Sequence, residues 1–161
     1  SCMLDIARYF LNFTQLESCG KCTPCREGTK RMLETLERIC NGAGVPEDIT
    51  NLERLARVIK SAALCALGQT APNPVLTTLK YFREEYEAHI NDKKCPAGVC
   101  PALLTFTILA DKCVGCGVCV KACPVGAISG EKKQAHVIDP AKCVKCGACV
   151  AKCKFEAIVK A

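Results

Sequence analysis

At 161 residues and 50% hydrophobic content, the chain is long enough to bury a core in one domain or in two small ones. Its sixteen cysteines restrict it to a secreted disulfide scaffold or a metal-ligating protein, and eleven of them fall in three tight runs, 19–25, 113–123 and 143–153, which is the metal pattern. The formal charge of +6 suggests a nucleic-acid partner only if every thiol is neutral, and aromatics at 5% with no Trp argue against a stacking platform for single strands.

No apolar stretch approaches the ~20 residues of a membrane-spanning helix, and the N-terminus lacks the basic, apolar and small-residue order of a signal peptide. A reducing cytoplasm is the expected compartment. Ser1-Cys2-Met3 runs directly into a helical pattern, which suggests a piece of a longer chain. Met3, Leu4, Ile6, Ala7, Phe10, Leu11 and Phe13 recur at helical spacing. The run Cys19-Gly20-Lys21-Cys22-Thr23-Pro24-Cys25 follows, and Thr23-Pro24 is a helix start. Met32, Leu33, Leu36 and Ile39 mark a second helix, and Leu52, Leu55, Val58, Ile59, Ala62 and Ala63 mark a third. Val75, Leu76, Leu79, Phe82 and Tyr86 mark a fourth. Breaks at 41–46 and 68–74 are short, so residues 1–92 are expected to form a four-helix bundle.

Residues 93–102, with Cys95-Pro96-Ala97-Gly98-Val99-Cys100-Pro101, are too rich in proline and glycine for a helix and read as a linker. His89, Cys95 and Cys100 offer one nitrogen and two sulfurs there, which suits a structural zinc if Cys2 supplies the fourth ligand. Such an ion would pin the linker, or act as a hinge, without joining a redox chain. Free thiols beside a solvent-facing His89 are the competing reading. Cys40 closes the second helix and suits the core equally well.

Residues 103–161 form a second domain, which opens on a β-prone run from Leu103 to Leu109. Its body is an internal repeat of period 30: Cys113, Cys116, Cys119, Cys123, Ala127 and Ile128 recur as Cys143, Cys146, Cys149, Cys153, Ala157 and Ile158. Each half is expected to be a short strand, a loop and a short helix, with 135–138 as an intervening strand. In a Cys-x2-Cys-x2-Cys-x3-Cys run, three thiolates bind one cubane and the fourth reaches across to the other. One [4Fe-4S] cluster would then be held by Cys113, Cys116, Cys119 and Cys153, and a second by Cys143, Cys146, Cys149 and Cys123. A zinc ribbon is the rival, but the paired runs exceed what tetrahedral zinc requires. The domain resembles the two-cluster bacterial-type ferredoxins over residues 103–160. It departs from them where Cys153 is followed by Lys154 instead of proline, which loosens a turn and adds a cation that moves the potential. His136 falls in a β-prone stretch and reads as a sheet residue without chemistry.

Cys19, Cys22 and Cys25 supply three thiolates at the same spacing, and a cubane needs a fourth. Cys65, near the end of the third helix, is available if the bundle folds it back to that loop. A buried apolar thiol is the alternative. The segments ESCGKCTPCREG and LCALGQTAPNPV resemble the C-terminal helical domain of the NADH-binding flavoprotein subunits of complex I and related enzymes. That resemblance implies that Cys19, Cys22, Cys25 and Cys65 bind a [4Fe-4S] cluster. A fused ferredoxin domain is similar to subunits of NAD(P)-linked, often electron-bifurcating, [FeFe] hydrogenases and allied formate dehydrogenases. The family's flavin and nucleotide domain is missing from these residues. Three dianionic clusters would offset the basic excess.

The expected function is electron transfer through three [4Fe-4S] clusters. The path would join a flavin/NAD(P)H site upstream in the parent chain to another subunit of a redox complex, such as a hydrogenase subunit, or to a ferredoxin. The sequence shows no phosphate-cradling glycine loop and no side-chain pair set for nucleophilic attack, so no active site is expected in this chain alone. The rival is an interaction scaffold whose clusters or zinc only hold it folded. Reversible bleaching by a low-potential reductant separates the two.

Overall fold

Helix α1 (Met3–Glu17) opens the chain in the computed structural model, which describes residues 1–160. It buries Leu4, Ala7 and Leu11, a stripe at spacings of three and four. The sequence pattern predicts a broader apolar face, yet Phe10 and Phe13 are about half exposed, because a 3.6-residue period can turn only one stripe towards the core. Helix α2 (Thr23–Cys40) buries Met32, Leu33, Leu36 and Ile39, and α3 (Glu47–Ala62) buries Ile49, Leu52, Ala56 and Ile59. Helix α1 packs on α2, and α2 on α3. At the α2–α3 contact Gly28 leaves room for Ile59, since a Cβ there would lie 2.6 Å from Ile59 Cγ1.

Asp48, in the first turn of α3, is fully buried. It accepts the Val45 N–H at 2.9 Å and pairs with the Arg38 guanidinium at the end of α2. A carboxylate at a helix N-terminus also meets the positive end of the macrodipole. This one residue satisfies the α2–α3 turn from three sides.

The fourth expected helix is divided into α5 (Asn73–Tyr81) and α6 (Arg83–Ile90) by Phe82, whose backbone is non-helical at φ −135°, ψ 38°. A continuous helix would point Leu79, Phe82 and Tyr86 the same way. The break leaves Phe82 partly exposed and turns Tyr86 and His89 fully inward. The Tyr86 hydroxyl then shares a 2.8 Å hydrogen bond with Thr78 across the break, which meets the demand of a buried phenol. Helix α3 stops at Ala62, before the position expected from the apolar pattern. Cys65 is therefore extended, at φ −135°, ψ 165°, and caps a short helix α4 (Ala66–Thr70) that the sequence pattern did not predict.

One compact unit runs from Ser1 to Leu103, the other from Leu104 onward. In the second, β1 (Phe106–Ile108) pairs antiparallel with β4 (Ile158–Lys160), and β2 (Ile128–Ser129) with β3 (Val137–Ile138). The strand before each cysteine run pairs with the strand after one: β1, which precedes the first, takes the strand after the second. The hydrogen bonds repeat with the sequence, Leu109 N–H to the Ala157 carbonyl at 2.7 Å and Asp139 N–H to the Ala127 carbonyl at 2.8 Å. Helices α7 (Val118–Ala122) and α8 (Ala148–Lys152) follow the loops, and pack together. Each starts after a glycine in the left-handed region, Gly117 at φ 72° and Gly147 at φ 73°, a conformation that costs other residues. Among the described residues no helix is long and apolar enough to cross a membrane.

Candidate metal centres

In the unit from Leu104 onward the two cysteine runs wrap two cavities of about 330 Å³ and 310 Å³, open solvent at their mouths included. The first is lined by Cys113, Cys116, Cys119 and Cys153, the second by Cys123, Cys143, Cys146 and Cys149. Cys123 and Cys153 are exchanged because each follows its helix into a strand of the other half's ribbon. The remaining walls are mostly apolar, with Ile108 and Ile158 in the first cavity and Ile128 and Ile138 in the second. Burial pushes the Cys119 and Cys149 thiols up, so these groups release their protons to solvent readily only when a cation takes the sulfur. The Ala127 N–H donates to Cys123 Sγ at 3.2 Å. Four thiols around each apolar cavity, with backbone donors turned to sulfur, fit a [4Fe-4S] cubane.

Sequence reasoning missed one wall of each cavity. His136 lines the first and Phe106 the second. The repeat carries the signal that would have found them, since the two positions lie 30 residues apart.

In the helical unit, α1 ends at Glu17 and Ser18 turns extended, after which Gly20 at φ 72° reverses the chain. Cys22 caps α2 and Cys25 sits in its first turn, 4% exposed. Ser18 Oγ is 3.3 Å from Cys25 Sγ, and the Arg26 guanidinium donates to the Gly20 carbonyl at 2.7 Å, which holds the loop shut. The segment bearing Cys65 reaches this loop. The Leu64 N–H, ahead of that of Cys25, stabilises the Cys22 thiolate and lowers its pKa. A Cβ on Gly68 would lie 3.3 Å from Cys25 Sγ, so α4 lies against the first turn of α2. Cys19 and Cys65 are exposed. Three thiols on a curled loop with a fourth on the adjoining segment again match the donors a cubane requires.

Cys2, His89, Cys95 and Cys100 converge, with their ligand atoms all within 4.8 Å of one another and every one of the four buried. His89 Nε2 lies 3.4 Å from both Cys2 Sγ and Cys100 Sγ, and those sulfurs are 3.8 Å apart. The other ring nitrogen, Nδ1, donates to the Glu85 carbonyl at 2.7 Å, which aims Nε2 at the thiols. The Cys95–Cys100 loop closes with Gly98 N–H on the Cys95 carbonyl at 2.8 Å.

The four groups share protons unequally. Burial would depress His89, but its hydrogen bonds to Cys2 and to the Glu85 carbonyl prevail and raise it to about 9. Burial would raise Cys95, yet the backbone N–H groups of Cys100 and Val99 hold it at about 7. Cys2 is pushed up by its hydrogen bond with Cys100 and by burial. Cys100 is lowered by Cys2 but raised by Cys40 and burial, with a net rise. One imidazole and three thiols with ligand atoms this close are donors of the type and number that a four-coordinate zinc site takes. Cys40 is buried at the end of α2 and belongs to the core cluster.

Residues 5–89 match the family model described as the NADH-ubiquinone oxidoreductase-F iron-sulfur binding region, and residues 112–157 match that of a 4Fe-4S dicluster domain. The chain is 58% identical over 159 residues to the NADP-reducing hydrogenase subunit HndC of Solidesulfovibrio fructosivorans, spanning 99% of this chain and 32% of that one. It is 39% identical over 89 residues to the mitochondrial NADH dehydrogenase [ubiquinone] flavoprotein 1 of Dictyostelium discoideum, covering 52% of this chain and 19% of the relative. The NADP(+)-dependent formate dehydrogenase subunit beta of Moorella thermoacetica is 36% identical over 96 residues, covering 60% of this chain and 14% of the relative. The chain thus spans a third or less of these curated relatives. Among solved structures, an NAD+-reducing [NiFe]-hydrogenase in its H2-reduced state superposes with a TM-score of 0.54 at 34% identity, over 56% of this chain and 16% of that one.

Proposed function

This chain belongs to the NADH-ubiquinone oxidoreductase-F iron–sulfur family, and on that ground we propose that it relays electrons through three [4Fe-4S] clusters within an NAD(P)-linked oxidoreductase complex. The observation that carries this reading is the sorting of eight cysteines, four and four, around two separate cavities, and the approach of the Cys65 segment to Cys22 and Cys25 supports a third set. Cys19, Cys22, Cys25 and Cys65 would hold one cluster, Cys113, Cys116, Cys119 and Cys153 the second, and Cys143, Cys146, Cys149 and Cys123 the third. When bound, the clusters supply one-electron redox chemistry. The chain's own residues supply thiolate charge, apolar walls that exclude water and backbone N–H donors, which together set the potentials.

The parent protein would carry the flavin and nucleotide domain, and the relay would end at a partner redox centre such as a hydrogenase subunit or a ferredoxin. The match along nearly the whole chain to a hydrogenase subunit supports that placement. The helical unit is read as a four-helix bundle whose last member is broken at Phe82.

Cys2, His89, Cys95 and Cys100 would hold one zinc ion. Zinc has no accessible redox change, so the ion would tie residues 93–102 to the start of α1 and the end of α6 and take no part in the relay.

The test is metal and sulfide analysis on protein purified without oxygen, followed by reductive titration. The expected result is about twelve iron, about twelve sulfide and about one zinc, with cluster absorbance that bleaches and returns reversibly. About eight iron would remove the helical-unit cluster from the proposal. Full iron with absorbance that does not cycle would replace the relay by a scaffold whose clusters only hold it folded.

A further inference from the structure

The sequence repeat maps Ile108 onto Ile138, Ile128 onto Ile158 and Phe106 onto His136. The strand register obeys the same shift, with Ile108 opposite Ile158 in one ribbon and Ile138 opposite Ile128 in the other. Phe106 and His136 are thus the same position in the two halves, and each forms part of the wall of one cavity. The cavities agree in their four thiols and in their isoleucines but differ at this position, with a phenyl ring in the cavity of Cys143, Cys146, Cys149 and Cys123 and an imidazole in that of Cys113, Cys116, Cys119 and Cys153. They differ again where Phe155 of the latter stands for Val125 of the former.

His136 is 3% exposed, and its Nδ1 is 4.0 Å from Cys113 Sγ. Its ring position depends on the residue across the ribbon. Phe106 faces Lys160 in its register, and the repeat places Gly130 in the matching position. A Cβ on Gly130 would lie 2.9 Å from His136 Cγ and Cδ2, and Gly130 adopts φ 152°, which disfavours any side chain. The glycine therefore accommodates a ring that leans over the backbone of its partner strand.

In the tautomer protonated at Nδ1, His136 turns a buried N–H dipole towards the Cys113 sulfur, which favours the more negative, reduced state, whereas a phenyl ring has no donor. We infer that His136 is a positioning residue that makes the two ferredoxin-like sites inequivalent, setting the Cys113 site at a higher reduction potential than the Cys143 site. This rests on the ligand sets proposed above. Lys154, which follows Cys153 where Pro124 follows Cys123, adds a cation on the same side. The test therefore changes only the rings.

His136→Phe and Phe106→His are made in the full chain, loaded with iron without oxygen, and followed by EPR-monitored redox titration with 15N-histidine labelling. An iron count of about twelve in the unsubstituted chain tests the ligand sets separately. The expected result is that His136→Phe lowers one midpoint by the equivalent of about a tenfold change in the reduction equilibrium, about 59 mV for one electron. It also abolishes a histidine-nitrogen hyperfine coupling on that reduced cluster. In a Lys160→Gly background, which opens the space that Gly130 gives His136, Phe106→His raises a different midpoint by a similar step relative to Lys160→Gly alone. Unmoved midpoints in His136→Phe with full iron would overturn the inference. If that variant loses iron, Phe106→His in the Lys160→Gly background decides, and its failure to raise a midpoint overturns the inference equally.

Discussion

Cys65 and His89 are the two residues on which the assignment of the helical unit turns, and each has a substitution with a separate readout. Cys65→Ser removes one thiolate from the helical-unit set, so iron falls from about twelve to about eight while the ferredoxin-like signals persist. His89→Ala leaves iron near twelve and takes zinc from about one to near zero. Of the thiols then left at the site, Cys2 is raised by its hydrogen bond with Cys100 and by burial, and Cys100, against the opposing effect of Cys2, is raised by Cys40 and burial, so these two stay protonated. Chelation of the zinc from the unsubstituted chain lowers the melting temperature of the helical unit by more than about 10 °C, because a tightly held ion binds only the folded form. The spacing of Cys19, Cys22 and Cys25 was readable as a loop set because a contiguous run needs no tertiary knowledge. His136 was readable only through the repeat that pairs it with Phe106, since nothing in a β-prone stretch taken alone says which cavity its ring will meet.

At the level of elements, the apolar period located α1, α2 and α3, but overstated how much of α1 is buried and passed over the break at Phe82. Both discrepancies have one cause. Periodicity reports which residues share a face, while the partner surface decides how wide that face is and where a helix must shift phase to bury Tyr86. The contact between α2 and α3 shows how packing outweighs propensity. By helix propensity alone, Gly28→Ala would stabilise by about 1 kcal/mol. Its new Cβ would instead press on Ile59, a β-branched residue only 1% exposed, and overpacking costs about 1–3 kcal/mol. The expected net result in denaturant titration is destabilisation, and the double variant with Ile59→Val, which removes Cδ1 at 2.9 Å but keeps Cγ1 at 2.6 Å, recovers only part of it. Gly117→Ala probes the opposite case, because nothing lies within 4 Å of its added Cβ. Only the left-handed backbone is penalised there, by about 1–2 kcal/mol.

For the molecule as a unit, charge links cofactor content to surface behaviour. The chain alone carries +6 and a sequence pI near 8.6. Three dianionic clusters would bring that total to about zero. The cluster-free chain is therefore expected to bind a cation exchanger at pH 7 and low salt, and the loaded protein to pass through it.

The linear chain already carries the chemistry and its grouping: which thiols lie close to one another, and that a period of 30 makes two like halves. Such features are local or repetitive, so spacing alone conveys them. Folding decided what depends on distant residues meeting. It brought the Cys65 segment to the α2 loop through the Leu64 N–H and the close approach of Gly68 to Cys25. It also gathered Cys2, 87 residues from His89, into one buried group, and it turned His136 and Phe106 into corresponding walls of two cavities. Burial and strand register set these relations, because an inward face or a cross-strand neighbour exists only once the partner surface is in place.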